Sequence, residues 1–276
     1  MSTIAFSTYS FGPKCTALEG MQFALEHRFQ GIEFGSWTHW PEFMSPEDVK
    51  YIRTQGSSNN MELSIHFIHR GVDIATHVRE RREKYLSQLQ HTLQLAGDLG
   101  AKVVVVHPGS VDYPGVPSTK TSETMRMEAI ENLRTFLEKV LPLAENVGVA
   151  VCLENLFHSA GNVFHNYAEL FKVVETIGHP LMKIILDIGH ADRTDGLNEA
   201  FKTFGKEIRH IHIHDSSGLI DHLEIGKGKL DFYQYLDILK SFPYTLAIES
   251  RDETDPEGCV LRSRNALMKV LGKSGD

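Results

Sequence analysis

Short apolar runs recur along the chain, each separated from the next by enough residues for one helix, the alternation expected of a parallel sheet built from βα units. Eight runs read as strands, at residues 4–8, 31–34, 63–66, 102–107, 149–154, 183–187, 208–212 and 245–249. Between them the apolar positions fall into helical periodicity, predicting helices over 17–28, 46–55, 76–99, 123–145, 167–177, 197–204, 231–240 and 259–271. Ser45-Pro46-Glu47-Asp48 combines an N-cap, a first-turn proline and first-turn acids, while Gly100 and Gly178 stand where helices would stop. Eight alternations predict an α/β fold, a single (β/α)8 TIM barrel over residues 1–276. An open doubly wound sheet is the alternative, but no G-x-G-x-x-G follows the first strand and there is no P-loop. Residues 109–122, rich in Pro, Gly, Ser and Thr, read as a long rim loop after the fourth strand, a candidate lid.

The runs end on chemistry. Glu154, Asp187, His212 and Glu249 each close one, and a β/α barrel gathers the C-terminal ends of its strands at one rim. A carboxylate following Val-Cys-Leu or Leu-Ala-Ile would be buried at high cost unless it met a cation. Two glutamates and an aspartate around an imidazole suit Mn²⁺, Mg²⁺, Zn²⁺ or Co²⁺, so a divalent metal ion is expected. His66 and His107 also end strands and could hold a second ion. In Asp187-Ile-Gly-His190 both polar residues can face one cavity; the alternative is that Asp187 merely caps the next helix. Strand alternation puts His212 and His214 on the same side. His212 reads as a ligand, His210 and His214 as core histidines bonded to carbonyls, and Asp215 and Ser216 as groups that could orient a ligand. Softer candidates for substrate contact are Trp37, with His39 and Trp40, as an apolar wall, and His158 with Lys227 or Lys229 as partners for hydroxyls or phosphate.

Composition narrows the classes. A net charge of −8 argues against a generally basic nucleic-acid binder, although divalent ions at a rim would offset that charge locally. Three widely spaced cysteines suggest neither a disulfide framework nor a thiolate zinc site, whereas 15 histidines favour metal ligation. The longest aliphatic run, 103–106, is too short to cross a bilayer and the first residues lack a leader pattern, so a cytoplasmic enzyme without membrane contact is expected.

Leu153-Glu154-Asn155, Leu186-Asp187-Ile-Gly-His190, His212-Ile-His-Asp215 and Ile248-Glu249 together resemble the strand-end motifs of the xylose isomerase-like barrels, a superfamily that includes ketose epimerases, hydroxypyruvate isomerases and endonuclease IV. The opening Ile4-Ala-Phe-Ser-Thr8-Tyr-Ser-Phe11, Gly31-Ile-Glu33-Phe34 and Gly226-Lys-Gly-Lys-Leu-Asp231-Phe232 look like the sugar isomerase and epimerase branch. His66, His107-Pro-Gly-Ser110 and His222 are instead similar to endonuclease IV, where the matching histidines help bind three zinc ions. Ile220-Asp221-His222 departs from that branch, because Ile220 stands where its ligand Asp belongs and Asp221 comes one position late. A complete third metal site is thereby put in question, as is the DNA-repair reading by a first strand without that branch's Gly-Ala-His-Val-Ser-like start.

The resemblance implies a metal-dependent isomerase or epimerase of a sugar or related polyhydroxy carbonyl compound, with a role in carbohydrate metabolism. Proton transfer through a metal-stabilised enediolate would use Glu154 and Glu249, with His190 as a further catalytic candidate. One to three ions would be held by ligands drawn from Glu154, Asp187, His212, Glu249, His66, His107, His190 and His222. The alternatives are a zinc-dependent hydrolase of abasic DNA, with nucleic acid the less expected partner, and a barrel that binds metal and a small molecule without turnover. A homo-oligomer is compatible with each.

Overall fold

The computed structural model describes residues 2–35 and 44–273. Eight parallel strands close into a barrel in sequence order: β1 Thr3–Ser7, β2 Gly31–Phe34, β3 Glu62–His66, β4 Val103–Val106, β5 Ala150–Glu154, β6 Met182–Asp187, β7 Ile208–Ile213 and β8 Thr245–Ile248. Closure is direct, with Ala5 of β1 opposite both Gly31 of β2 and Ala247 of β8. The outer helices are α1 Ala17–Glu26, α2 Pro46–Ser58, α3 Arg79–Leu99, α4 Glu123–Val147, α5 Tyr167–Ile177, α6 Ile188–Asp192, α7 Leu197–Phe204, α8 Leu236–Ser241 and α9 Pro256–Leu271. The predicted (β/α)8 barrel is the fold of this chain.

Helix ends follow their local chemistry. Ser45 forms a full capping box with Asp48 at the start of α2, and Gly100 and Gly178 end α3 and α5 in the left-handed conformation. Four helical predictions need correction. The one expected to end at 55 runs on to Ser58. The helix expected from 76 starts at Arg79, because the Thr76 hydroxyl accepts from the Val78 amide at 3.1 Å and holds a turn there. The one expected from 259 starts at Pro256, capped by Asp255, which accepts from the Gly258 amide at 3.1 Å. The one expected over 231–240 divides into a 3-10 turn, Phe232–Tyr235, and α8. The short α6, directly after β6, is not among the predicted helices, although it is the helix that Asp187 caps in the alternative reading of that residue.

Strand parity divides the core. One set of side chains packs outward under the helices in the main apolar cluster, including Phe6, Ile32, Ile65, Val104, Val106, Leu153, Ile184 and Leu186. The opposite parity fills the barrel interior, where Val103, Val105, Ala150, Cys152 and Ile185 form a separate apolar cluster. All three cysteines are buried and free. Among the described residues no helix is long and apolar enough to cross a membrane.

Candidate metal centre

The interior parity that carries Cys152 and Ile185 carries Glu154 and Asp187 one step further along β5 and β6, so their carboxylates emerge at the barrel's C-terminal rim. With Glu249, which follows β8, they converge on one imidazole. His212 Nδ1 lies 3.0 Å from Glu249 Oε2, 3.6 Å from Glu154 Oε1 and 3.8 Å from Asp187 Oδ2. On its other edge His212 donates Nε2–H to Glu33 Oε1 at 3.0 Å, which fixes the tautomer and turns Nδ1 into the site. Glu33 is fully buried and also meets His210 Nε2 at 3.1 Å.

Asp187 is held from three directions. Its Oδ1 accepts from the His190 amide at 2.7 Å, capping α6, and Oδ2 accepts from His214 Nε2 at 3.0 Å. Asn155 then clamps its backbone, accepting from the Asp187 amide at 2.8 Å and donating to its carbonyl at 3.0 Å. Capping and facing the site are therefore compatible at this residue. His210 and His214 are buried, as expected; His214 has the anticipated carbonyl, of Asp215 3.2 Å from Nδ1, and meets Asp187 of the adjacent β6 as well, whereas His210 meets Glu33 from across the barrel where a carbonyl partner was anticipated.

On the opposite side of Glu154, Oε2 is 3.3 Å from His66 Nε2 and 3.0 Å from His107 Nε2. His66 donates Nδ1–H to the Phe67 carbonyl at 2.7 Å, leaving Nε2 as the ligand atom. His69, three residues beyond β3, stacks on His107 with ring centroids 4.4 Å apart. His190 and His222 complete the rim: each aims Nδ1 at a carbonyl, of Asn155 and Glu249 respectively, both at 3.0 Å. These residues, with Tyr9, Leu156, Phe157 and Asp221, line a cavity of about 300 Å³. A larger groove of about 590 Å³, lined by residues of α2 and α3 such as Val49 and Leu95, holds none of these ligand types beyond His91 and Asp98.

The electrostatics call for cations. Glu33, Glu154, Asp187 and Glu249 are all buried, and among the described residues they meet histidines with no Lys or Arg ion pair. Burial alone would raise the Glu154 carboxyl, yet His107 and His212 beside it hold it well below the ordinary carboxylate range. Burial opposes charge on His212 too, but Glu249, Glu33 and Glu154 raise it well above its ordinary value. Burial, His107 and His66 push His69 down to about 2, and burial with His214 pushes His222 down to about 4. Both are therefore neutral, with lone pairs to offer. Glu154 Oε2 and His212 Nδ1 are buried without a hydrogen-bond partner of adequate geometry. Buried orphans of this kind in a carboxylate-imidazole cluster fit a divalent ion. Among the described residues, four groups of three ligand atoms lie mutually within 4.8 Å: Glu154/Asp187/His212, His66/His69/His107, Asp187/His190/His222 and Glu33/His210/His212.

Other expected contacts lie elsewhere. His158 points towards Asp195, 4.0 Å away, and Lys227 is exposed on the loop after β7; neither lines the cavity. Trp37, His39 and Trp40 fall outside the described residues. Ile220 is exposed, while Asp221 turns inward to an ion pair with Arg193 and lies 3.9 Å from His190 Nε2. Asp215 organises its own loop, accepting from the Ser216 amide at 2.8 Å, Gly226 at 2.9 Å and Leu230 at 3.1 Å. The loop expected as a lid is tied at its start, where the Ser110 amide donates to Asp73 at 2.6 Å and Val111 pairs with the Gly161 carbonyl at 2.7 Å. Glu33 and His69 went unassigned in the sequence. Their only local signal was an acid in an apolar strand and a second histidine three residues after His66.

A barrel closed by eight parallel strands, with acids and histidines gathered at its C-terminal rim, defines the class. The chain belongs to the xylose isomerase-like TIM barrel family, which it matches over residues 21–269. It is similar to the uncharacterised protein MJ1311 of Methanocaldococcus jannaschii, 28% identical over 258 residues, covering 91% of this chain and 83% of that protein. It is also similar to a probable endonuclease 4 of Mesomycoplasma hyopneumoniae, 28% identical over 144 residues, 47% of this chain and 48% of that one. Among solved structures, a D-tagatose 3-epimerase-like protein superposes with a TM-score of 0.81 at 24% identity, covering 98% of this chain and 97% of the other. The IolI protein with a bound zinc atom gives 0.79 at 16% identity over 98% of both chains. These two likenesses concern the fold.

Proposed function

We propose that this protein is a divalent-metal-dependent isomerase or epimerase of a sugar or related polyhydroxy carbonyl compound. The observation that carries the reading is the placement of Glu154 and Glu249, 3.6 and 3.0 Å from the same His212 nitrogen, both lining one cavity. Its likeness in fold to a D-tagatose 3-epimerase-like protein supports the same chemistry. Glu154, Asp187, His212 and Glu249 would hold the ion. Such an ion would polarise the substrate carbonyl and favour negative charge on its oxygen.

The side chains supply the proton path. Glu154 and Glu249 are both ionised at neutral pH, since histidines hold each below the ordinary range against the opposing effect of burial. Glu154 takes the proton next to the carbonyl. Glu249, after taking up a proton from water, delivers it to the other face of the same carbon for epimerisation, or to its neighbour for isomerisation, and Glu154 releases its proton to water. His222 and the Tyr9 ring, with centroids 5.7 Å apart, line the same cavity as the two glutamates. The test is incubation of manganese-loaded protein with ketoses and ketose phosphates in deuterated water. Deuterium at the carbon next to the carbonyl is the expected result, and its absence across the panel overturns the reading.

A second reading, hydrolysis of a phosphodiester such as abasic DNA, is favoured by His66 and His107 beside Glu154 and by the endonuclease 4 relative. Against it, Asp221 is paired with Arg193. Cleavage of abasic DNA by zinc-loaded protein, without deuterium incorporation into sugars, would install it.

A further inference from the structure

We propose that His69 is a metal ligand which, with His66, His107 and Glu154, completes a four-donor, zinc-selective site beside the carboxylate-rich one. The proposal rests on the metal-dependent reading above and extends it to a second, unlike ion sharing Glu154.

The geometry comes from one short segment. In His66-Phe67-Ile68-His69 the chain leaves β3 and turns, with the Val72 amide donating to the His69 carbonyl at 3.3 Å, so the second imidazole returns over the first. His69 sits 5.1 Å from His66 edge-on and 4.4 Å from His107 between centroids, the latter pair with ring planes 16° apart, and one nitrogen of each lies within 4.8 Å of the others. Four donors bound to zinc at about 2.0–2.1 Å are spaced by about 3.3 Å when tetrahedral. Glu154 Oε2 is 3.3 and 3.0 Å from the His66 and His107 nitrogens, and it is the buried oxygen that lacks an aligned hydrogen-bond partner. Three imidazoles facing a single carboxylate gain little from being together without a cation, since each needs a donor or acceptor of its own.

The consequence is a division of labour. A nitrogen-rich set favours zinc, whereas Glu154, Asp187 and Glu249 around His212 favour harder ions such as manganese or magnesium. A site already supplied with four protein donors has no open position for water or substrate. The His69 side would then fix the Glu154 carboxylate and set its charge, leaving proton transfer to the carboxylate side.

The experiment is zinc titration of metal-free protein against a chromophoric chelator, with X-ray absorption on the one-zinc form, for the native chain, His69→Ala and His69→Gln. Circular dichroism confirms folding, which the partly exposed loop position of His69 favours. Expected are three imidazoles per zinc in the native chain, at least about a 100-fold weaker first zinc in both variants, and unchanged manganese affinity. Two imidazoles in the native chain, or zinc affinities within twofold of native in folded variants, overturns the proposal. The two readings fail separately. A His69-dependent zinc site with no deuterium incorporation into any sugar removes only the isomerase reading, and the converse result removes only this one.

Discussion

The two sides of Glu154 are built differently. Towards β6–β8 its neighbours are braced by buried hydrogen bonds: Asn155 clamps Asp187, His214 holds the Asp187 carboxylate and Glu33 holds His212. Towards β3 and β4 the bracing is a single carbonyl, of Phe67 on His66, and ring stacking between His69 and His107. Rigid, oxygen-rich surroundings suit a reaction that needs carboxylates held in register. A looser imidazole cluster has less to hold it in shape before an ion arrives. The contrast teaches that one carboxylate can belong to two sites of opposite character, and each side has its own point of failure.

The most severe break is at the shared residue. Glu154→Gln is expected to lower the rate of deuterium exchange into substrate by about 10³-fold, within the range typical of a general base, and to weaken metal binding on both sides. Exchange at the native rate would remove Glu154 from the proton path. Gly189→Ala strikes only the braced side, because its Cβ would stand 2.1 Å from His214 Cε1 and push that ring off Asp187. Manganese affinity should drop while zinc affinity holds; equal losses of both would erase the distinction between the two sides.

Glu33→Gln keeps the shape and removes the charge behind His212. A loss of about 10–100-fold in manganese affinity, with little change in zinc, is the expected outcome of calorimetric titration. An unchanged manganese affinity would reduce Glu33 to packing. Removing all metal by chelation leaves four buried carboxylates facing histidines and should lower the melting temperature by on the order of 10 °C if binding is tight. The smallest effect sharpens the comparison from below. Ile185→Val, in the apolar interior beneath the rim, should cost about 1 kcal/mol in a denaturant titration and leave both metal affinities alone.

Much of this was legible in the chain. The eight strands, the helix stops at Gly100 and Gly178, and the rim positions of Glu154, Asp187, His212 and Glu249 follow from local signals. An apolar run of strand length announces a buried parallel strand, and a charged residue closing it stands out against that run. The glycines of Asp187-Ile-Gly-His190 and Gly226-Lys-Gly228 also acquire reasons: a Cβ at Gly228 would lie 2.2 Å from the Asp215 carboxylate.

The partners were not legible. Glu33 and His212 are 179 residues apart, and β2 and β7 are not neighbours in the barrel, so their bond arises only because closure brings interior side chains together across its width. His69 does not itself close a strand, and its return over His66 is the work of the turn that follows β3. Asp221 reads as a displaced ligand until Arg193 is seen beside it. Sequence alone determined which residues reach the rim, because side-chain parity and burial are local properties of each strand. Tertiary structure decided which of them share an ion, an imidazole or a proton, because those interactions fall off within a few ångströms and depend on distances that only the closed barrel sets.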